Sequence, residues 1–227
     1  MTTPAPDITR RKRTVFLVDD HPLVREWLTN LILQQPDLLV CGEAETGPEA
    51  RQAVVALRPE VAIVDISLKD SSGIELIKDL KQSCPEVAVL VLSMHEEFHY
   101  AERALRAGAR GYIVKRETAK KVVTAIRQVL DGKLYLSEPL AAAMAAQFVA
   151  GRVLAAGSVV EQLSDRELEV FEMLGSGRGT RQIAESLGVS IKTVQAYCAR
   201  IKEKLNLAGA SELLREAVRW RETSDRD

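Results

Sequence analysis

The sequence predicts an α/β domain built on a doubly wound, five-stranded parallel sheet, followed by an all-α domain of four helices. Two observations carry this prediction. Up to about residue 131, short apolar runs alternate with segments of helical periodicity, whereas only helical patterns follow. Several of the apolar runs are hydrophobic at nearly every position, which is typical of parallel strands buried between two layers of helices. A chain of 227 residues is long enough for two such domains.

The first strand–helix unit begins with the run TVFLVDD at 14–20, which ends in two acids. Pro22 suits the first turn of a helix, and residues 24–33 carry an apolar stripe at helical spacing. The same alternation predicts four further strands and four further helices. The strands are 38–41, 61–66, 87–93 and 111–114, and the helices are 49–57, 74–81, 98–107 and 118–130. This succession favours a flavodoxin-like topology.

The C-terminal part changes character. Residues 132–158 are rich in alanine and are predicted to form a partly helical linker. Ser164-x-x-Glu167 has the spacing of a capping box and predicts the start of a helix, and further helices are predicted at 180–187, 191–205 and 211–220. The predicted boundaries are 14–131 for the α/β domain, 132–158 for the linker and 159–222 for the helical domain.

Composition narrows the function classes. Lys and Arg number 31 and Asp and Glu number 32, so a uniformly basic surface for nucleic acid is excluded, although a local basic patch is not. No apolar run approaches the roughly 18 residues that span a bilayer, and the N-terminus lacks the apolar core of a signal peptide. The three cysteines lack the spacing of a disulfide framework or zinc site. We therefore expect a cytoplasmic protein with no membrane partner.

Polar side chains follow the predicted strands where each strand ends. Asp19 and Asp20 end the first strand, Asp65 the third and Ser93 the fourth, while Lys115 follows the fifth. Because the carboxyl ends of parallel strands share one edge of the sheet, these side chains should converge there. Carboxylates suit Mg²⁺, and a carboxylate can accept a phosphoryl group whose charge a lysine and a hydroxyl stabilise. Each residue alone would be an ordinary cap or surface charge; their conjunction favours a site.

Residues 14–131 resemble the receiver domain of bacterial two-component response regulators. The matching segments are VDDHPLVRE (18–26), VDISL (64–68), LSMHE (92–96) and GYIVK (111–115). The resemblance implies that Asp65 is phosphorylated by a sensor histidine kinase. It also implies that Asp20, Asp65 and the backbone carbonyl of Ser67 ligate Mg²⁺, with Asp19 acting mainly through water.

By the same resemblance, Ser93 and Lys115 contact the phosphoryl group, and Tyr112 is the switch aromatic that turns inward as Ser93 is drawn to the phosphate. The loop after Asp65 departs from the family, which usually has Met-Pro-Gly there, because the proline is absent. Lys69 or Asp70 could alter the local charge there.

Residues 182–205 carry a helix-turn-helix signature. Gly188 permits a left-handed turn and Ser190 can cap the second helix. On that helix Val194, Cys198, Ile201 and Leu205 form the predicted buried stripe, and the opposite face carries Lys192, Gln195, Ala196, Ala199 and Arg200. Between residues 178 and 204 there are six basic residues against two acidic ones, which favours contact with phosphates.

Residues 159–222 resemble the LuxR-type DNA-binding domain, through LSDRELEVF (163–171) and IAESLGVSIKTVQAY (183–197). With the receiver, the chain is similar to the NarL/FixJ class of response regulators. The resemblance implies that Gln195, Ala196 and Ala199 lie against the bases. The other predicted DNA-binding residues are Arg178, Arg181, Lys192, Thr193, Arg200 and Lys204. Tyr197 replaces the usual histidine, and both a phosphate contact and packing between helices remain open for it.

The resemblance implies a DNA-binding transcriptional regulator, not an enzyme, activated by Mg²⁺-dependent phosphorylation of Asp65. Its implied partners are double-stranded promoter DNA, a sensor histidine kinase and, once phosphorylated, a second copy of the chain. An alternative keeps DNA binding independent of phosphate and uses the receiver as a dimerisation module. A phosphatase with an aspartate nucleophile is a second alternative. It is disfavoured because such an enzyme has a second acid two residues after the nucleophile, where Ser67 stands in this chain. A flavodoxin-like cofactor binder is a third alternative. It is disfavoured because Asp19 and Asp20 would repel the cofactor's phosphate.

Overall fold

The computed structural model describes residues 11–68, 72–94, 98–149 and 159–224. The chain divides into two compact units, 1–137 and 138–227. This division splits the segment 132–158 between the units. The assignment of that whole segment as a linker therefore stays a prediction.

The N-terminal unit is built on a parallel sheet with the strand order β2-β1-β3-β4-β5. Its strands in the described residues are β1 (Arg13–Val18), β2 (Leu38–Ala44), β3 (Val61–Val64), β4 (Ala88–Ser93) and β5 (Gly111–Val114). Every neighbouring pair is parallel. The doubly wound fold predicted from the sequence is confirmed. β2 runs three residues beyond its predicted end, because a register shift between Val15 and Phe16 lets residues 42–44 keep pairing with β1.

The helices between the strands are α1 (Pro22–Leu33), α2 (Gly47–Leu57), α3 (Gly73–Ser83), α4 (Phe98–Ala107) and α5 (Ala119–Leu130). Local sequence explains where they begin. Pro22 occupies the first position of α1, and the side chains of Thr46 and Ser72 accept backbone N–H groups at the starts of α2 and α3.

The core lies on both faces of the sheet. All four residues of β3 are buried, as are Val15 to Val18 of β1. Val15, Leu17 and Ile63 pack with Leu28 of α1 and Ile126 of α5 on one face. Burial on both faces explains the continuous apolar runs of the sequence. It also leaves only the strand ends for polar side chains.

The chain after α5 covers the outer edge of β5. The Tyr112 N–H donates to the Tyr135 carbonyl (3.0 Å), and the Tyr135 N–H donates to the Arg110 carbonyl (3.1 Å). These bonds make a single parallel bridge between Gly111 and Tyr135. An otherwise open sheet edge is thereby paired. Sequence analysis did not predict this pairing, because one bridge leaves no alternating pattern.

The C-terminal unit contains only helices in its described residues. They are α6 (Glu138–Val149), a short 3-10 helix (Val159–Gln162), α7 (Asp165–Gly175), α8 (Thr180–Ser186), α9 (Ile191–Lys204) and α10 (Ala210–Ser224). α6 confirms that the alanine-rich segment is partly helical; residues 150–158 lie outside the described residues. Throughout the described parts of both units, each helix is too short or too polar to span a bilayer.

The helical unit has its own apolar core. Leu168 and Phe171 of α7, Val194 and Ile201 of α9 and Ala217 of α10 are fully buried. The predicted capping box starts α7, since Ser164 accepts the Glu167 N–H and the Glu167 carboxylate accepts the Ser164 N–H. Of the four residues in the predicted buried stripe of α9, only Val194 and Ile201 are fully buried. Cys198 and Leu205 are half-buried.

Candidate functional site

Three aspartates meet at the carboxyl edge of the sheet. Asp19 and Asp20 directly follow β1, and Asp65 directly follows β3. They are neighbours because these two strands pair in parallel, with Val18 opposite Val64. The aspartates are 2%, 5% and 3% exposed. Ligand atoms of the three carboxylates and of His21 all lie within 4.8 Å of one another.

Lys115 reaches this cluster from the end of β5. Its Nζ lies 2.6 Å from Asp19 Oδ2 and 2.6 Å from Asp65 Oδ2, and its side chain is almost buried. Its backbone N–H donates to the Ser93 carbonyl at the end of β4 (2.7 Å). Ser93 is fully buried. The five strand-end residues predicted to converge therefore share the carboxyl edge of the sheet, and the lysine contacts two of the aspartates.

The charges at this edge perturb one another. Burial raises the pKa of Asp65, and the nearby Asp19 carboxylate raises it further against the opposing effect of Lys115. Burial alone would lower the pKa of Lys115, but the carboxylates of Asp65 and Asp19 raise it above its ordinary value. The lysine thus stays an ammonium, and it offsets only part of the negative charge of three close carboxylates.

Asp20 carries the feature that best fits a cation. Its Oδ1 is buried and has no hydrogen-bond partner. His21 Nδ1 lies 2.7 Å from this oxygen, but without hydrogen-bonding geometry, and the imidazole is largely exposed. A buried carboxylate oxygen without a hydrogen-bond donor is costly unless a cation satisfies it. The hard oxygens of Asp20 and Asp65 fit Mg²⁺. Asp19 and Asp65 each have one oxygen on Lys115, and the indirect role of Asp19 stays a prediction.

The remaining predicted residues of this edge are placed as follows. The Ser67 N–H donates to Asp65 Oδ1 (3.2 Å). Tyr112 of β5 is 1% exposed. The ligand role of the Ser67 carbonyl and the switching role of Tyr112 stay predictions. Lys69 and Asp70, which we expected to affect the loop after Asp65, lie outside the described residues.

Two residues at this edge were missed by the sequence analysis. Arg25 of α1 is 8% exposed, and its Nη1 donates to the backbone carbonyl of Asp19 (2.6 Å). The sequence held a signal, because Arg25 falls in register with Leu28 and Ile32 on the buried stripe of α1. Gly73, at the start of α3, packs so closely on Asp65 that a Cβ would lie 2.0 Å from the Asp65 carbonyl oxygen.

The second candidate site is the helix pair α8–α9. Gly188 makes the turn with φ of 63°, and the Ser190 side chain accepts the Thr193 N–H (3.0 Å), as the sequence predicted. The predicted outward face is exposed at all five positions; its residues are Lys192, Gln195, Ala196, Ala199 and Arg200. Arg178 and Arg181 are also exposed, whereas the Thr193 hydroxyl bonds to Ser190 (2.8 Å).

Arg200 and Lys204 of α9 each contact another side chain of the unit. The Arg200 guanidinium lies over the Tyr197 ring, 5.3 Å from its centroid. The Lys204 ammonium lies 2.6 Å from Glu167 Oε2, so a phosphate contact by Lys204 would compete with an internal ion pair. The DNA contacts of these residues stay predictions.

The chain matches two known families. Residues 15–127 match the response regulator receiver domain, and residues 161–217 match the luxR family of bacterial regulatory proteins. The oxygen regulatory protein NreC of Staphylococcus epidermidis is 34% identical over 210 residues, which cover 90% of this chain and 96% of that one. The transcriptional activator protein ExaE of Pseudomonas putida is 37% identical over 204 residues, covering 90% and 95%.

Solved structures of response regulators are similar to this chain as well. The RcsB response regulator of Salmonella enterica serovar Typhimurium, solved bound to promoter DNA in the presence of the phosphomimetic BeF₃⁻, superposes with a TM-score of 0.57 at 25% identity. The superposition covers 90% of this chain and 98% of that one. A LuxR-family response regulator of Aurantimonas gives a TM-score of 0.58 at 32% identity, covering 61% of this chain and 99% of that one.

A receiver sheet with an acidic edge, joined to a helix-turn-helix unit, defines a two-component response regulator with a DNA-binding output domain. The chain belongs to this family, in its LuxR-type, NarL/FixJ class. Its relatives are transcriptional regulators rather than enzymes, which confirms the expected class and excludes the phosphatase alternative.

Proposed function

We propose that this response regulator is switched by Mg²⁺-dependent phosphorylation of Asp65 by a sensor histidine kinase. The supporting observation is the ion pair between Lys115 and Asp65 inside a buried acidic cluster at the sheet edge. Phosphoryl transfer depends chiefly on positioning and on neutralising negative charge, and this edge provides both.

In the proposed transfer, an oxygen of Asp65 bonds to the phosphorus of a phosphohistidine. The phosphorus–nitrogen bond breaks, and its electron pair returns to the imidazole of the kinase. Lys115 Nζ already lies 2.6 Å from Asp65 Oδ2. After the transfer it would form an ion pair with the negatively charged phosphoryl oxygens. The hydroxyl of Ser93, at the end of β4, would donate a hydrogen bond to the same group.

Asp20, Asp65 and the Ser67 carbonyl would hold Mg²⁺, and Asp19 would contact it through water. When bound, the cation supplies positive charge to the phosphoryl oxygens. The orphaned Oδ1 of Asp20 is the observation on this chain that supports a cation. Tyr112, the switch aromatic expected to turn inward, is already buried in β5, and engagement of Ser93 with the phosphate would stabilise this inward position.

The output of the switch is proposed to be promoter binding by α9. Its exposed face offers Gln195 for adenine and the methyl groups of Ala196 and Ala199 for thymine. Arg178, Arg181, Lys192 and Arg200 would contact phosphates, with Thr193 and Lys204 beside them. The relative RcsB was solved bound to promoter DNA with a phosphomimetic, which supports the same coupling here.

Phosphorylation is proposed to favour a homodimer. Leu214 and Val218 of α10 are exposed, whereas Leu213 and Ala217 on the same helix are buried in the core of the unit. The exposed pair is available to a second copy. A cytoplasmic location fits a protein whose partners are a kinase and promoter DNA.

A titration on DNA tests the proposal. A duplex ligand is selected from a randomised library with the beryllofluoride-loaded full chain, and its Kd is measured with and without beryllofluoride for the wild type and Asp65→Asn. We expect beryllofluoride to tighten binding by the wild type alone. Equal Kd values in all four conditions would favour the alternative, a phosphorylation-independent regulator.

A further inference from the structure

Arg25 is a buried cation that the proposed phosphoryl transfer does not use. Its side chain is 10% exposed and contacts three acceptors on three parts of the receiver. Nη1 donates to the Asp19 carbonyl (2.6 Å), Nε donates to Glu43 on β2 (3.2 Å), and Nη2 donates to Glu45 in the loop after β2. A guanidinium has five N–H donors in a rigid fork, so one side chain can serve all three acceptors.

The contact to Asp19 fixes the segment that carries two of the acids. The Asp19 N–H donates to the Ala44 carbonyl (3.2 Å), and the His21 N–H donates to Asp19 Oδ1 (2.9 Å). Arg25 holds the carbonyl of the peptide that joins Asp19 to Asp20. The direction in which Asp20 leaves the backbone therefore depends on this bond, and Asp20 is the residue with the orphaned oxygen.

We propose that Arg25 is a positioning residue for the cation site. It clamps the peptide between Asp19 and Asp20 against β2, so that Asp20 meets Asp65 at the sheet edge before any cation arrives. This inference rests on the proposed Mg²⁺ site. Loss of a residue that hydrogen-bonds to and orients a metal ligand typically weakens metal binding by about 10- to 100-fold.

The sign of the effect separates positioning from simple electrostatics. Arg25 is a positive charge beside a cation site, so its removal should strengthen cation binding if only Coulomb repulsion mattered. Positioning predicts the reverse. Arg25→Lys keeps the charge, but a single ammonium on a flexible stem cannot reproduce the fork.

The test is calorimetric titration of the full-length chain with Mg²⁺. We expect Arg25→Met to weaken Mg²⁺ binding by about 10-fold or more, and Arg25→Lys to weaken it in the same direction. The matched control is Arg127→Met. It removes another arginine–carboxylate pair, to Asp37 at 2.7 Å, from the opposite, amino edge of the sheet, and it should leave the Kd for Mg²⁺ unchanged.

If Arg25→Met does not fold, the double variant Glu43→Gln/Glu45→Gln takes its place. It keeps the bond to Asp19, replaces both charged acceptors of Arg25 by neutral amide oxygens and should weaken Mg²⁺ binding less than Arg25→Lys does. Mg²⁺ affinities within twofold of the wild type, or tighter, in the folded Arg25 variants would overturn the positioning role alone. A wild type that binds no Mg²⁺ would instead overturn the proposed cation site, and the inference with it.

Discussion

The Lys204 ammonium lies 2.6 Å from the Glu167 carboxylate, and this ion pair joins the end of α9 to the first turn of α7. Glu167 is 2% exposed and also accepts the Ser164 N–H of the capping box (2.8 Å). A residue that sequence alone suggests for DNA is thus a connection inside the output unit. The strength of this connection can be measured.

Lys204→Met should destabilise the output unit by about 1 kcal/mol, because it leaves the buried Glu167 carboxylate with fewer hydrogen-bond donors. The loss is not larger because the Lys204 side chain is partly exposed to solvent. Urea unfolding of the full chain measures this difference. Lys192→Met is the matched control, since Lys192 is an exposed residue of the same helix, and its effect should stay below about 0.5 kcal/mol. Equal effects of the two variants would contradict a stabilising ion pair.

The same pair predicts a pH dependence. Burial opposes ionisation of Glu167, but hydrogen bonds from Lys204 and Ser164 outweigh it and lower the pKa of Glu167 below its ordinary value. A carboxyl group with a lowered pKa in the folded state contributes stability above the unfolded pKa of about 4.3, and that contribution is lost as the pH falls through the folded value. Urea unfolding from about pH 6 to pH 3 should therefore show a shallower loss of stability for Glu167→Gln. Parallel curves for the two proteins would contradict this role of Glu167.

Much of the receiver follows from its sequence, because each strand is an uninterrupted apolar run and the polar residues at the strand ends have one edge to occupy. Asp19, Asp65 and Lys115 were predicted to meet for that reason alone. Arg25 and Gly73 were not predicted to act there. The helical pattern of α1 places Arg25 on the buried face. The partner it meets there, the Asp19 carbonyl, and the approach of Gly73 to the Asp65 carbonyl depend on tertiary packing that no local pattern encodes.

Gly73→Ala tests one of these approaches. The added Cβ would meet the Asp65 carbonyl oxygen at 2.0 Å, so the backbone that carries the phosphoacceptor must shift. We expect a loss of about 2 kcal/mol or more in receiver stability, measured by urea unfolding, and slower phosphorylation from a small acyl phosphate. Gly209→Ala, where nothing lies within 4 Å of the added carbon, should change neither quantity appreciably. Normal phosphorylation of Gly73→Ala would show that this close packing is dispensable.

The Tyr197 ring lies under Arg200, and a pair of variants separates a role of this ring from a phosphate contact by the tyrosine hydroxyl. If its ring holds Arg200 for a DNA phosphate, Tyr197→Phe keeps the stacking and should bind the selected duplex like the wild type. Tyr197→Leu should then bind several-fold more weakly, with a slope of log K against log salt reduced by about one. Equal weakening by Phe and Leu would assign the contact to the tyrosine hydroxyl instead.

Phosphorylation of Asp65 is the central claim, and intact mass spectrometry tests it most directly. The full chain is incubated with a small acyl-phosphate donor, with Mg²⁺ or with a chelator, and compared with Asp65→Asn. We predict the added mass of one phosphoryl group on the wild type only when Mg²⁺ is present, and none on Asp65→Asn. An equal adduct on Asp65→Asn, or one that forms as fast with the chelator, would contradict the account.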